Sequence, residues 1–243
     1  MSYHKIKPFQ ILRLPCDKSI FTYLNNIGQQ IMAPVYSWFI EDAEKNILVD
    51  TGISSGPCSK YYPNAEDVTP FEVALNSVGL DPNDIDIIIQ THLHYDHCGN
   101  STKCKNAEVI VQESELNAAL NGIYSHLPGQ NYYPELFKDL KFQLIKGDKE
   151  ISEGIKVLFT PGHSAGSQSV AVDTSKGTAI IAGFCSIEEN FRPPAQDIPM
   201  PMIPDVIAPG IHIDSSQAYE SVIRVKKMAD IILPLHALRQ KEL

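Results

Sequence analysis

The sequence predicts an α/β protein built as a four-layer αββα sandwich, in which two β-sheets pack face to face and helices cover their outer sides. Apolar segments with strand character alternate with amphipathic helical segments along the 243 residues. Each half of the chain also contains strands, a helix and a histidine-bearing loop directly after a strand. We therefore expect a single domain, residues 1–243, with the histidine loops at one edge of the two sheets.

The first half of the chain supplies strands, two helices and the first histidine loop. A polar turn at Asp42–Asn46 separates two strands within residues 35–50. In "TPFEVALNSVG", Thr69 as N-cap, Pro70 at the first helical position and Gly79 after the last turn predict a helix. The elements that follow are a strand at 85–90, a strand at 108–112 and a helix that begins near Glu113.

The second half repeats this organisation. Its elements are strands at 141–145 and 156–160, a hairpin at 169–183, a helix at 216–229 and a last strand at 230–234. A stretch at 193–209 contains too many prolines for a helix or a central strand. Its apolar residues suggest a buried loop or a subunit contact, and a homodimer is therefore a possible assembly.

Composition and charge exclude several classes of partner. The formal net charge of −9 argues against nucleic acid, which would favour a basic face. The chain has no apolar run of about 18 residues, and so we expect no membrane span. Its N-terminus lacks the apolar core of a secretory signal. Five scattered cysteines favour reduced thiols in the cytoplasm, where a small-molecule substrate is the expected partner.

The densest group of chemically active side chains lies in "HLHYDH", directly after the strand at 85–90. The candidate ligands that follow strand ends are His92, His94, Asp96, His97, His163 and His236. Imidazoles and carboxylates bind divalent metals, and a single catalytic zinc needs about three protein ligands. This set is large enough for two metals about 3.5–4 Å apart that share a hydroxide. Histidines that only satisfy backbone groups at strand ends are the alternative, which the tight spacing disfavours.

The same residues carry a resemblance to a known family. "HLHYDH" at 92–97, "ILVDTG" at 47–52, "TPGHSAG" at 160–166 and the strand with its histidine at 232–236 resemble, in order and spacing, the metallo-β-lactamase fold superfamily. "GHSAGSQSV" followed by "EENF" is similar to the N-acyl-homoserine lactonase branch and its pyridoxolactonase-like relatives. The resemblance covers the chain from about residue 35 to residue 236.

The resemblance implies a ligand set and roles for two aspartates. His92, His94 and His163 would bind the first metal, and Asp96, His97 and His236 would bind the second. In lactonases of this family the Asp of the HxHxDH motif can also relay a proton to the leaving group, a role that would fall to Asp96. Asp50 in "DTG" would orient a ligand histidine.

The chain departs from the family pattern after the hairpin, where the family usually places a bridging aspartate. Residues 180–191, "IIAGFCSIEENF", contain no Asp. Cys185 is either a thiolate ligand that replaces this aspartate or a small buried hydrophobic residue. Glu188 and Glu189 are further candidates, unless they lie on a solvated face. The tyrosine that the lactonase branch places shortly after its bridging aspartate is also missing.

Four more residues have two possible roles each. His212 could face the site, or lie on the surface before a helix capped by Asp214. Tyr132 and Tyr133 could cover a substrate or pack on the body of the protein. Trp38 could line the pocket, although a core position is the more common one.

The functional expectation is a metal-dependent hydrolase that opens a lactone or a related cyclic ester by attack of a metal-bound hydroxide. The expected cofactors are two divalent metal ions, zinc in the first instance, with manganese or iron as alternatives. The alternative function is a mononuclear-iron oxidoreductase similar to persulfide dioxygenases, which share the fold and the HxHxDH motif.

Overall fold

The computed structural model describes residues 2–130, 132–194, 205–240 and 242–243. The strands are β1 (Lys5–Asp17), β2 (Gln30–Glu41), β3 (Ile47–Val49), β4 (Glu66–Asp67), β5 (Ile87–Ile89), β6 (Glu108–Gln112), β7 (Phe142–Ile145), β8 (Lys149–Ser152), β9 (Ile155–Phe159), β10 (Gln168–Thr174), β11 (Gly177–Ala182) and β12 (Ile231–Pro234). The α-helices are α1 (Ser55–Cys58), α2 (Phe71–Asn76), α3 (Tyr95–Cys98), α4 (Glu113–Asn121), α5 (Glu188–Phe191) and α6 (Ser215–Met228). Residues 195–204 of the proline-rich stretch, with the subunit contact predicted there, lie outside the described residues.

The strands form two sheets. The larger sheet has the order β4-β1-β2-β3-β5-β6-β7, and the smaller sheet has the order β12-β11-β10-β9-β8. In the larger sheet β3, β5, β6 and β7 run parallel, so that their carboxyl ends meet at one edge. In the smaller sheet β11 and β12 are parallel, and the other neighbours are antiparallel.

Alternating side chains divide the core into three apolar layers, as the period of a strand requires. On β2, Trp38 is fully buried between the two sheets, whereas Phe39 packs on the opposite side with α2. On β11, Ile181 points to the inter-sheet layer and Ile180 points to α6. The fold is the predicted four-layer αββα sandwich, and Trp38 has the predicted core position.

Strand β1 was not predicted, because its two prolines interrupt the sequence pattern of a strand. Pro8 and Pro15 pair with β2 on one side, and on the other side β4 contacts β1 only at Leu12 and Arg13. Both prolines therefore lie where β1 is an edge, and an edge strand tolerates a residue without an N–H. A long pairing between β1 and β2 is the result.

The predicted start of α2 is wrong by one residue. Pro70 occupies the N-cap position, and the helix begins at Phe71. The backbone N–H of Thr69 instead donates to the Ile11 carbonyl, which keeps Thr69 attached to β1. The sequence also suggests that Glu72 completes a capping box with Thr69, but Glu72 forms an ion pair with Lys103 instead. No helix within the described ranges is long and apolar enough to cross a membrane.

Candidate metal centre

Both sheets contribute loops to the edge at which the parallel strands end. The chain leaves β5 at Ile89 and passes directly into the loop and short helix α3 that carry the HLHYDH segment. In the smaller sheet, β9 leads to His163 and β12 leads to His236. Because strand ends of two packed sheets meet here, residues far apart in sequence lie side by side.

The candidate ligands form two groups. The first group is His92, His94 and His163, and the second group is Asp96, His97 and His236. Within each group one potential ligand atom per residue lies within 4.8 Å of the others. All five imidazoles are buried, while the side chain of Asp96 keeps 13% exposure and so reaches the adjoining cavity. The structure therefore brings together all six histidine and aspartate candidates that the sequence suggested.

Backbone carbonyls fix the orientation of two rings. The Nδ1 of His163 lies 2.8 Å from the Ile211 carbonyl oxygen, and the Nδ1 of His236 lies 2.9 Å from the Pro34 carbonyl oxygen. A carbonyl only accepts, so both Nδ1 atoms donate and both Nε2 atoms carry lone pairs. The Nε2 of His94 is buried without a hydrogen-bond partner among the described residues. Ring nitrogens that carry lone pairs into a common space, one of them without any partner, fit bound metal.

Asp50 orients two further rings, those of His97 and His92. Its carboxylate accepts from the Thr91 N–H and Thr91 hydroxyl, both at 2.7 Å, and from the Gln90 amide at 2.9 Å. The Nδ1 of His97 lies 2.8 Å from Asp50 Oδ2. The Thr91 Oγ1 also lies 3.0 Å from His92 Nδ1. Asp50 thereby orients a histidine of the first group through Thr91. The prediction that Asp50 orients a candidate ligand histidine is confirmed.

Burial and neighbouring charges set the protonation of the groups. Burial lowers the pKa of His94 and of His236 to about 4, and it lowers the pKa of His92 well below the ordinary value. These imidazoles are therefore neutral, as metal ligands must be. Burial alone would raise the pKa of Asp96, but His97 and its neighbours lower it, and the carboxylate stays ionised.

A cavity of about 330 Å³ opens onto both groups. Its wall consists of the candidate ligands and of Leu14, Cys16, Ile20, Phe21, Ala33, Tyr61, Tyr62, Tyr95, Gly129, Tyr133, Cys185 and Ile211. No Lys or Arg lines this cavity within the described part of the chain. A larger groove of about 700 Å³ beside α4 contains none of the candidate ligands. The wall is thus apolar and aromatic, and its charged groups are confined to the two groups of candidate ligands.

Cys185 lies in the cavity wall but outside both groups. Its thiol is 3.6 Å from the Ile20 carbonyl oxygen, and the side chain packs in an apolar cluster with Cys16 and Phe21. Burial raises the pKa of the thiol well above its ordinary value. This environment is that of a small hydrophobic residue. Neither glutamate of α5 belongs to a group, because Glu188 is exposed and Glu189 forms an ion pair elsewhere.

Of the candidates His212, Tyr132 and Tyr133, only Tyr133 lines the cavity. His212 hydrogen-bonds to a backbone carbonyl and packs against Tyr23, away from the cavity wall. Tyr133 lines the cavity, and its ring stacks on Tyr61 with centroids 3.8 Å apart. Tyr132 packs instead on the back of the first group, against His94.

The sequence analysis missed Glu115. This carboxylate lies in the first turn of α4 and is fully buried directly behind the first group. Acidic residues are common in the first turn of any helix, where they interact with free N–H groups, so its sequence position carried no signal. Only the fold brings it against the histidine loops.

Comparisons with known proteins agree with this geometry. Residues 32–183 match the family model of the metallo-beta-lactamase superfamily. The chain is 30% identical to an N-acyl homoserine lactonase of Bacillus thuringiensis over 180 residues, which are 68% of this chain and 69% of that protein. It is 27% identical to an N-acyl homoserine lactonase of Bacillus cereus, covering 89% of this chain and 84% of that protein.

The same similarity extends to solved structures. An N-acyl homoserine lactone hydrolase with the product N-hexanoyl-L-homoserine bound at its catalytic metal centre superposes with a TM-score of 0.78 at 27% identity. The superposition covers 98% of this chain and 95% of that one. The two sheets, with the edge at which the candidate ligands lie, therefore have a counterpart in a structure that holds metal.

Proposed function

The chain belongs to the metallo-beta-lactamase superfamily as a metal-dependent hydrolase related to N-acyl homoserine lactonases, and we propose that it opens lactones or related cyclic esters. One observation carries the proposal. Two groups of candidate ligands face a single apolar cavity, with four neutral imidazoles and one ionised carboxylate. The fifth imidazole, His97, has its pKa raised to about 10 by Asp96 and Asp50 against the effect of burial, so it must release a proton when it binds a metal. The donor set fits two divalent cations, and the cavity fits an uncharged substrate.

The two groups would hold two metal ions, zinc in the first instance with manganese or iron as alternatives. His92, His94 and His163 would bind one ion, and the second group would bind the other. Bound metal would polarise the carbonyl of the substrate and lower the pKa of a water molecule. The contacts of Asp50, Ile211 and Pro34 keep the rings oriented toward the ions.

Asp96 would carry the proton of the reaction. It is ionised and partly exposed to the cavity, so it can accept a proton as water adds to the carbonyl carbon. When the bond from that carbon to the ring oxygen breaks, Asp96 returns the proton to the alkoxide. The product is a hydroxy acid, and the carboxylate is restored.

The cavity wall supports a neutral ester rather than a phosphate ester. A phosphate would find no Lys or Arg among the described wall residues, so only the metal ions themselves could offset its charge. The aromatic rings of Tyr61, Tyr95 and Tyr133 line the same cavity and offer apolar surface for an acyl chain.

The direct test is a substrate panel on the zinc-loaded protein. We expect the protein to open the ring of N-acyl homoserine lactones or simple γ-lactones, which is measured by the release of acid. We expect no hydrolysis of a phosphate ester. Asp96→Asn should lower kcat by about 10²–10⁴-fold, because it removes the proton carrier, and the zinc content measured beside kcat separates this effect from the loss of a ligand of the second group. Asp139→Asn, the same change at an exposed position, is the matched control and should be fully active.

Two results would contradict the proposal. Turnover of the phosphate ester without any lactone would remove the assigned substrate class. An Asp96→Asn variant as active as the Asp139→Asn control, with equal metal content, would remove Asp96 from the reaction.

A further inference from the structure

Glu115 is a buried acidic side chain behind the candidate metal centre that accepts four hydrogen bonds, as many as Asp50 makes. Its Oε1 accepts from the backbone N–H of Leu93 at 3.0 Å and from the Tyr132 hydroxyl at 3.3 Å. Its Oε2 accepts from the Ser164 hydroxyl at 2.7 Å and from the backbone N–H of Gly166 at 2.8 Å. Both carboxylate oxygens are therefore satisfied although the side chain has no contact with water.

These donors belong to two different loops. Leu93 stands between His92 and His94, on the loop that leaves the larger sheet. Ser164 and Gly166 follow His163, on the loop that leaves the smaller sheet. The loops meet at the first group, where His92 Nε2 lies 3.3 Å from His163 Nε2. Glu115 thus connects the two chain segments that build this group.

Tyr132 adds an indirect contact to the same group. Its hydroxyl donates to Glu115, and its ring packs against His94 with centroids 5.2 Å apart. Two neighbours of His94 are thereby fixed. One is the backbone of Leu93, and the other is the ring of Tyr132. Glu115 is the common partner of these two contacts.

The backbone at Gly166 is built for this close approach. A Cβ atom added at Gly166 would lie 2.5 Å from the Cβ and from the backbone nitrogen of Glu115. Only a glycine lets this loop pass directly over the start of α4. This close approach does not depend on the hydrogen bonds. It shows that the loop of Gly166 packs directly against Glu115.

The second group has other supports. His97 is held by Asp50, and His236 is held by the Pro34 carbonyl. Neither these residues nor Asp96 hydrogen-bonds to Glu115. The two sheets also remain joined without Glu115, because the Gln168 N–H donates to the Thr91 carbonyl at 3.0 Å. A change at Glu115 should therefore act on the first group and leave the second group in place.

We propose that Glu115 is a positioning residue that sets the spacing of His92, His94 and His163 and so determines the affinity of the first metal alone. The inference rests on the proposed two-metal site. Partners that orient metal ligands typically change metal affinity by about 10–100-fold when they are replaced. Because the partners of Glu115 adjoin only the first group, the loss should be confined to one of two metal equivalents.

Glu115→Gln tests this with a minimal change in shape. Each side of the carboxylate faces a backbone N–H, from Leu93 on one side and Gly166 on the other, and a backbone N–H can only donate. The amide group of Gln must meet one of these donors with its own NH₂. One of the two histidine loops then loses its anchor.

The experiment measures zinc affinity by competition with a chromophoric chelator. We expect the wild-type protein to bind two equivalents. In Glu115→Gln one equivalent should weaken about 10–100-fold while the other keeps its affinity. Glu113→Gln is the matched control: Glu113 lies on the same helix and pairs at the surface with Lys146, so both equivalents should be unchanged. The visible spectrum of the cobalt-loaded variants reports whether one site or both have altered geometry.

A second variant tests the same inference if Glu115→Gln does not fold. Ser164→Ala removes the 2.7 Å hydrogen bond and leaves Glu115 in place, so it should weaken the same equivalent to a smaller extent. Wild-type affinity at both sites in the two variants would overturn the inference, and so would equal weakening of both equivalents. A wild-type protein without zinc affinity removes this inference together with the metal site. Two zinc equivalents without lactone turnover would remove the proposed function, while the Glu115 comparison still decides the inference.

Discussion

At the scale of single residues, the site depends on two buried carboxylates that do not face the cavity. Asp50 accepts hydrogen bonds from the chain around Thr91 and from His97, and Glu115 accepts from the loops around His94 and His163. A buried carboxylate is costly unless its lone pairs are filled, and both of these are filled.

Cys185 gives a prediction at the same scale. Its thiol lies outside both groups and packs with Cys16 and Phe21, so Cys185→Ala should keep two metal equivalents with unchanged affinity. Elemental analysis and chelator competition measure this. Cys104→Ala, another buried thiol remote from the cavity, is the matched control. Loss of one equivalent in Cys185→Ala alone would show that the thiolate is a ligand.

The sequence predicted the ligand candidates because their spacing is local. Four of them occur within "HLHYDH", and the other two follow apolar strands. The supports could not be predicted in the same way. Glu115 is 49 residues from its partner Ser164, and His236 is 202 residues from the Pro34 carbonyl, so these contacts exist only after the sheets have packed.

At the scale of elements, the turn after β9 is fitted against α6. Gly162 has φ +115°, in the left-handed region, and a Cβ atom there would lie 2.2 Å from the backbone nitrogen of Ala218. The Gly162 carbonyl accepts from the N–H groups of Ile213 and Asp214, and Asp214 caps α6. This packing determines where His163, the next residue, enters the site.

Gly162→Ala should therefore disturb both the fold and the first group. The backbone strain alone costs on the order of 1–3 kcal/mol of unfolding free energy, and the clash with α6 adds to it. We expect a lower Tm and a weaker first metal equivalent, measured by thermal unfolding and zinc competition. Gly56→Ala is the control, because its Cβ atom would meet no atom within 4 Å. Equal behaviour of the two variants would contradict this account of the turn.

Elements with strong local signals were predicted and weakly marked ones were not. β6 and the start of α4 lie where the sequence placed them, because an apolar run ends directly at a helical pattern. β1 was missed because Pro8 and Pro15 interrupt its pattern, and β8 because three of its four residues are polar and none is buried. Both strands are stabilised by pairing with the next strand, β2 for β1 and β9 for β8, rather than by their own composition.

At the scale of the whole molecule, the layered packing explains why one edge becomes a site. The inter-sheet core is apolar and continuous, and it brings the ends of β5, β9 and β12 to one side. Each sheet alone would carry only part of either group. The first group combines loops of both sheets, and so does the second, in which His236 comes from the smaller sheet. Metal binding would therefore join the two sheets at this edge.

The proposed site takes two metal ions although Phe184 stands where the family usually places its bridging aspartate. Elemental analysis of protein purified without chelator and without added metal decides between two ions and one. We expect about two equivalents of zinc or manganese per chain, one for each group. About one equivalent of iron, together with oxygen consumption on a persulfide, would contradict this expectation and would assign the chain to one-metal oxygenase chemistry.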